Sequence, residues 1–390
     1  MEAVATVFRQ HAGRLTAALV RALGSFDLAE ELVQDALVTA LERWPTEGVP
    51  THPDRWLLTV ARNRGLDRLR RDARYAQKLA LLDSPTADED DRLRLIFTCC
   101  HPALGREAQV ALTLRTVCGL SPAEIASAFL VAEPTIAQRL VRAHRKIAVA
   151  GIPYREPPPE ELNARLDEVL AVVYLVFNEG YLSSGPEQPE RRDLVEHAAW
   201  LARMLVQLMP TEPEVLGLQV LIQLHRARSR ARFDAQGRLV LLRDQDRARW
   251  DHTAIDAAID LLLKAGRMGR PGRYQLEAAI VACHAEAPSY AQTDWRQIVL
   301  LYDALVRLTG SPVAQLHRAI ALRFVDGPAA ALAEVDALSP ALGRYHLFHA
   351  TRAELLRELC RPGEARAANA QALALTLNPA ERALLEARLA

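Results

Sequence analysis

Apolar positions recur three and four residues apart over most of this 390-residue chain, and no alternating apolar–polar run of useful length interrupts them. That period predicts an all-α protein. The sharpest stretch is VCGLSPAEIASAFLVAEPTIAQRLVRAHRKI at 117–147. Gly119 breaks one helix, Ser121 supplies an N-cap with Pro122 at the first helical position, and Glu124 stands three residues after the cap. Ile125, Ala126 and Phe129 share one apolar face. A second helix restarts at Glu133-Pro134-Thr135, with Ile136, Leu140, Ala143 and Ile147 as its buried stripe. Gln138, Arg139, Arg142, Arg145 and Lys146 fill its other side. Helix, turn, basic helix is the arrangement of a recognition helix in the major groove, although a solvated basic helix has the same pattern.

Upstream, residues 26–44 predict an acidic amphipathic helix beginning Phe26-Asp27-Leu28-Ala29-Glu30-Glu31 and ending at Pro45. Residues 54–74 predict a basic one, with Trp56, Leu57, Val60, Leu66 and Leu69 buried and arginines around the rest. From Arg62 to Lys78 stand seven basic residues and two acidic ones. The whole chain carries no formal net charge, 48 basic side chains against 48 acidic. Positive charge is therefore concentrated locally, which favours docking on one nucleic-acid element over coating DNA.

Acidic helix, arginine helix and helix-turn-helix, in that order over roughly 1–150, resemble the extracytoplasmic-function group of sigma-70 type RNA polymerase sigma factors. The segments DLAEELVQDALVTALERW, WLLTVARNRGLDRLRR and GLSPAEIASAFLVAEPTIAQRLVRAHRKI carry the resemblance. IFTCCHPAL (96–104) and VYLVFNEGY (173–181) resemble a subgroup with a long helical C-terminal extension related to tetratricopeptide repeats. The resemblance implies a non-enzymatic, cytoplasmic transcription initiation factor without cofactor or metal. Its partners would be core RNA polymerase, promoter DNA, and a protein or peptide ligand of the extension. It implies that Asp27, Glu30, Glu31, Gln34 and Asp35 dock on the polymerase. Arg62, Arg64, Arg68, Arg70 and Arg71, with Asn63 on the same surface, would meet the start-proximal promoter element. Thr135, Gln138, Arg139 and Arg142, flanked by Arg145 and Lys146, are the candidates for the upstream element. The loop 46–53, where related factors capture a flipped base, holds no aromatic residue. A rival reading is a DNA-binding repressor on a helical scaffold; the acidic docking helix separates the two.

The expected organisation is a first sigma domain over 1–74, a linker over 75–91 and a helix-turn-helix domain over 92–151. A Pro-rich hinge follows at 152–159, since Pro157-Pro158-Pro159 forbids helix. From 160 to 390 the helical pattern is punctuated by Gly and Pro, as in an α-solenoid of helix pairs. Gly327 and Gly363 begin similar segments 36 residues apart, near the tetratricopeptide period of about 34. Asn178-Glu179-Gly180-Tyr181 reads either as a helix end with Gly180 past the last turn or as a regulatory contact. The five cysteines are Cys99, Cys100, Cys118, Cys283 and Cys360. Their odd number and scatter predict reduced thiols, and Cys99-Cys100-His101 lacks the separated pairs of a zinc site. No signal peptide or membrane span is expected.

Overall fold

A computed structural model describes residues 2–68, 91–129, 131–183 and 190–389, and the side chains of 11–65 within the first of these ranges. Every regular element among them is helical; the one β-contact is an isolated bridge between Phe233 and Leu239. The chain divides into two compact units, Met1–Val176 and Phe177–Ala390.

In the first unit, α1 (Glu2–Leu23), α2 (Phe26–Glu47) and α3 (Pro53–Arg68) pack on one another. Ser25 caps α2, its hydroxyl accepting from the Leu28 amide at 3.3 Å. Leu19, Leu32, Leu57 and Ala61 are buried between the helices, and the rings of Trp44 and Trp56 lie 5.3 Å apart. Helix α2 runs two residues past Pro45, where the sequence predicts a stop. Proline in a last turn removes only one helical hydrogen bond, and the Gly48 amide closes that turn on the Trp44 carbonyl at 3.0 Å.

Next come α4 (Arg92–Cys99), α5 (Arg106–Leu112), a π-helical turn at Thr113–Val117, α6 (Pro122–Ala128) and α7 (Glu133–Val149). The capping box at α6 is complete. The Ser121 amide donates to Glu124 Oε2 at 2.7 Å and the Glu124 amide to Ser121 Oγ at 3.2 Å. Gly119, with φ of 75°, makes the turn before it. Helix α8 (Pro159–Tyr181) opens on the third proline of the Pro157–Pro159 run, the first-turn position that proline tolerates. Its N-terminal part belongs to the first unit. Leu166, Val169, Leu170 and Val173 are buried there, Arg106 pairs with Glu168 at 2.8 Å, and Arg165 donates to the Phe97 carbonyl at 2.6 Å.

In the second unit the helices follow one another and pack mainly on sequence neighbours. They are α9 (Arg192–Leu208), α10 (Pro213–Ala227), α11 (His252–Gly266), α12 (Arg273–Glu286), α13 (Trp295–Thr309) and α14 (Pro312–Leu322). There follow α15 (Pro328–Ala337), the single turn α16 (Ser339–Leu342), α17 (His346–Glu358), α18 (Pro362–Leu375) and α19 (Pro379–Ala387). Pro213, Pro312, Pro328, Pro362 and Pro379 each open a helix, so the sequence breaks are starts as much as stops. Two features were not legible in the periodicity. Residues 228–251 carry no α-helix, only 3-10 turns and the Phe233–Leu239 bridge. The unit also meets itself at long range: Asn378 donates to the Ser183 carbonyl at 2.8 Å and Arg243 to Glu354 at 2.9 Å.

Candidate nucleic-acid interface

Helix α2 carries the acidic candidates, and two of them are engaged by the helix-turn-helix half of the same unit. Glu30 is only 16% exposed: Arg115 Nε lies 3.3 Å from its Oε2 and His144 Nε2 3.7 Å from its Oε1. Thr116 Oγ1 donates to Oε1 at 3.1 Å. Asp27, mostly exposed, holds His144 Nδ1 at 2.7 Å. Both donors, Arg115 and Thr116, are consecutive on the π-turn, and Arg115 Nη1 is steadied on the Leu120 carbonyl at 3.1 Å.

Apolar contacts complete the seam. Phe26 stacks on His144 with ring centres 5.7 Å apart and meets the Tyr154 ring edge-on at 6.3 Å. The Tyr154 hydroxyl donates to the Ala17 carbonyl at 2.9 Å; burial, with Asp91 nearby, pushes its ionisation far above the usual tyrosine range. Gly13 abuts the π-turn so closely that a Cβ there would fall 2.6 Å from the Val117 carbonyl oxygen. Gln34 and Asp35 are half-buried and Glu31 is exposed. The five acidic-helix candidates thus do not form one free face.

On α3, Asn63 and Arg64 are exposed and Arg62 is half-buried; Arg64 Nη2 reaches Thr39 Oγ1 at 3.4 Å. Arg68 ends the helix, and nothing is described of its side chain. Arg70 and Arg71 lie outside the described residues, as does most of the expected linker.

Helix α7 buries Ile136, Leu140, Ala143, His144 and Ile147 and leaves Thr135, Gln138, Arg142, Arg145 and Lys146 exposed. The Arg142 Nε donates to the Gln138 carbonyl at 3.3 Å, one turn back. Arg139 is different: its guanidinium pairs with Glu107 at 2.5 Å and the side chain is 20% exposed. The side chains offered outward are therefore Gln138 and Arg142 with Thr135 at the helix start, a set that can contact bases and phosphates.

The Asn178–Tyr181 segment is helical to its end. Gly180 lies inside α8 and not beyond it, and it is glycine because the α9 start passes so close that a Cβ would meet the Val195 amide nitrogen at 2.6 Å. Tyr181 is clasped by Arg232, whose guanidinium sits 3.5 Å from the ring centre, and by the His225 ring at 4.8 Å. Asn178 is exposed, and Glu179 accepts from Ser183 Oγ at 3.2 Å. Burial beside Arg228 and Arg232 holds His225 neutral, its pKa well below the ordinary value. Sequence reasoning missed Arg115, Thr116 and His144, which stand 85 or more residues from their acidic partners, beyond any local pattern.

Models of sigma-70 region 2 and sigma-70 region 4 match residues 7–75 and 94–147. A family of unknown function (DUF6596) matches residues 165–266. An uncharacterized protein of Rhizobium meliloti is 45% identical over 387 residues, covering 95% of this chain and 92% of its own. The ECF RNA polymerase sigma factor SigL of Mycobacterium tuberculosis is 30% identical over 150 residues, 36% of this chain and 84% of its own. No solved structure matches. No helix among the described residues is long and apolar enough to cross a membrane.

Proposed function

The chain belongs to the extracytoplasmic-function group of sigma-70 family RNA polymerase sigma factors, and from that premise we propose that it docks on core polymerase, reads a two-part promoter and starts transcription under the control of its C-terminal unit. One observation carries this reading. Within the region 4 match, α7 presents Gln138 and Arg142 outward while its apolar stripe is buried, and the acidic and arginine helices of the region 2 match precede it in order.

The work is done by hydrogen bonds and charge rather than by bond making. Arg142 and Gln138 have the groups for bidentate contacts to guanine and adenine, each worth about 1–3 kcal/mol of discrimination. Arg62, Arg64 and Arg68, with Arg70 and Arg71, neutralise phosphates near the start site. Asp27, Glu30, Glu31, Gln34 and Asp35 form the polymerase-docking set. Because Glu30 and Asp27 are held by Arg115, Thr116 and His144, docking through them requires the two sigma regions to part. The described arrangement is then a resting form, and polymerase exchanges one set of partners for another. Residues 178–181 are the proposed regulatory contact.

In vitro transcription with core polymerase tests the reading, after selection of bound DNA to find a template. Promoter-dependent transcripts are expected. Failure to co-purify with core enzyme at low salt would overturn it.

A further inference from the structure

The stretch between α10 and α11 is the irregular part of an otherwise helical unit, and its arginines gather around one tryptophan. Trp250 is 4% exposed. The Arg247 guanidinium carbon lies 4.3 Å from its ring centre and that of Arg228 5.8 Å. Arg228 is 6% exposed, and among the described residues its side chain hydrogen-bonds to His225 Nδ1 at 3.0 Å. No carboxylate among the described residues pairs with Arg228, Arg230, Arg247 or Arg249, and buried N–H donors at Arg228 Nε, Arg247 Nη2 and Trp250 Nε1 have no acceptor. Buried guanidinium groups ordinarily have acid partners, and buried donors ordinarily have acceptors.

Over Trp250 opens a groove of about 560 Å³, lined by Arg192, Ser229, Arg230, Phe233 and Arg249 and by one carboxylate, Asp234. Its nearby carboxylates are already committed. Glu190 is shared by Arg192 and Arg232, at 2.6 and 3.3 Å. Asp234 accepts from Arg238 and from the amides of Gln236 and Arg238. Arg230 and Arg249 are exposed at the groove with no side-chain partner among the described residues. With Asp234 already held by Arg238, three arginines line the groove against that one carboxylate, and the surplus of donors and positive charge calls for a multiply charged anion.

We propose that this groove binds a phosphorylated small molecule, with Arg230 and Arg249 on its phosphate oxygens, Trp250 as the floor, and Arg228 as a buried charge beneath that the ligand's negative charge compensates. Planar guanidinium forks match phosphate oxygens two at a time, and a hydroxyl at Ser229 and a ring at Phe233 complete the lining. Nearby, burial, and after it the charges of Arg228 and Arg247, lowers His284 to about 4. The groove residues from Arg192 to Trp250 fall within the match to the family of unknown function, and the proposal does not depend on the transcriptional reading.

The test is isothermal titration of the full-length protein with inorganic pyrophosphate and with phosphate, against chloride at equal ionic strength. Saturable one-site binding of pyrophosphate is expected, with a rise in the melting temperature of the second unit. Arg230→Gln with Arg249→Gln should weaken it at least tenfold, whereas Arg267→Gln, an exposed arginine elsewhere on the unit, should leave it unchanged. Arg228→Met should abolish the anion-dependent rise in melting temperature; should that variant not fold, the two surface substitutions still decide. Citrate binding as tightly as pyrophosphate would overturn the phosphate assignment. Equal weakening by Arg267→Gln, or no binding beyond the chloride control, would overturn the site.

Discussion

A Cβ at Gly180 would fall 2.6 Å from the Val195 amide nitrogen and 2.9 Å from the Arg191 carbonyl oxygen, both backbone atoms that cannot rotate aside. At Gly363, also helical, nothing lies within 4 Å. Gly180→Ala should therefore cost the second unit about 1–3 kcal/mol through overpacking, whereas Gly363→Ala should gain up to about 1 kcal/mol of helix stability. Urea melts of the two variants, followed by circular dichroism, decide it; equal effects would discredit the close approach of α8 and α9. His284 gives a second test at this scale. Its folded pKa is lowered from 6.5 to about 4, chiefly by burial and then by Arg228 and Arg247. The folded state thus resists a proton that the unfolded state accepts below pH 6.5. Stability is full above pH 6.5 and falls as pH drops toward 4, by about 3 kcal/mol from this group alone. In the second unit His284→Gln should flatten that acid limb; an unchanged pH profile would remove His284 as its cause.

Among the elements, α7 separates its two central arginines. Among the described residues Arg142 is exposed and bonded to its own helix, while Arg139 is already paired with Glu107. Arg142→Ala should weaken promoter binding by about 1–3 kcal/mol if it reads a base, or reduce the salt slope uniformly if it meets phosphate. Arg139→Ala should do less. A larger loss at Arg139, measured by fluorescence anisotropy on promoter DNA, would mean that the Glu107 pair does not persist on DNA. The helix-turn-helix was legible because its signals are local: Ser121, Pro122 and Glu124 write the cap, and Ile136, Leu140, Ala143 and Ile147 write the buried stripe. The grip on Glu30 was not. Its donors stand on a π-turn at Thr113–Val117, for which TLRTV carries no distinctive residue, and its partners are more than 80 positions away. The stretch 228–251 escaped for another reason. Its apolar residues keep a loosely helical spacing, while Asp234 and Gly237 alone mark the turn that the bridge between Phe233 and Leu239 closes.

For the molecule as a whole, the proline run at 157–159 marks a helix start rather than the edge of the first unit. Helix α8 fills the core of that unit with Leu166, Val169, Leu170 and Val173 and ties Arg165 to Phe97. A chain ending at Gly151 should lose those contacts, expose α4 and α5, and melt well below a chain ending at Val176. Scanning calorimetry of the two truncations checks this; equal melting would show that the first unit does not need α8. Any comparison of transcription with and without the C-terminal unit is therefore cleaner with the longer truncation.

Glycine at position 13 carries a consequence for how this protein could change by mutation. Within a helix, glycine gives up about 1 kcal/mol relative to alanine, and in α1 that loss accompanies the close fit of the Val117 carbonyl. Alanine here would strengthen α1 while wedging the π-turn away from it. The two sigma regions would each stay folded and yet lose their grip on one another. On the proposed resting form, one codon change would thus turn a restrained factor into an unrestrained one without touching any candidate DNA contact. Among spontaneous variants selected for unprompted activity, substitutions at Gly13 should outnumber those on the recognition helix.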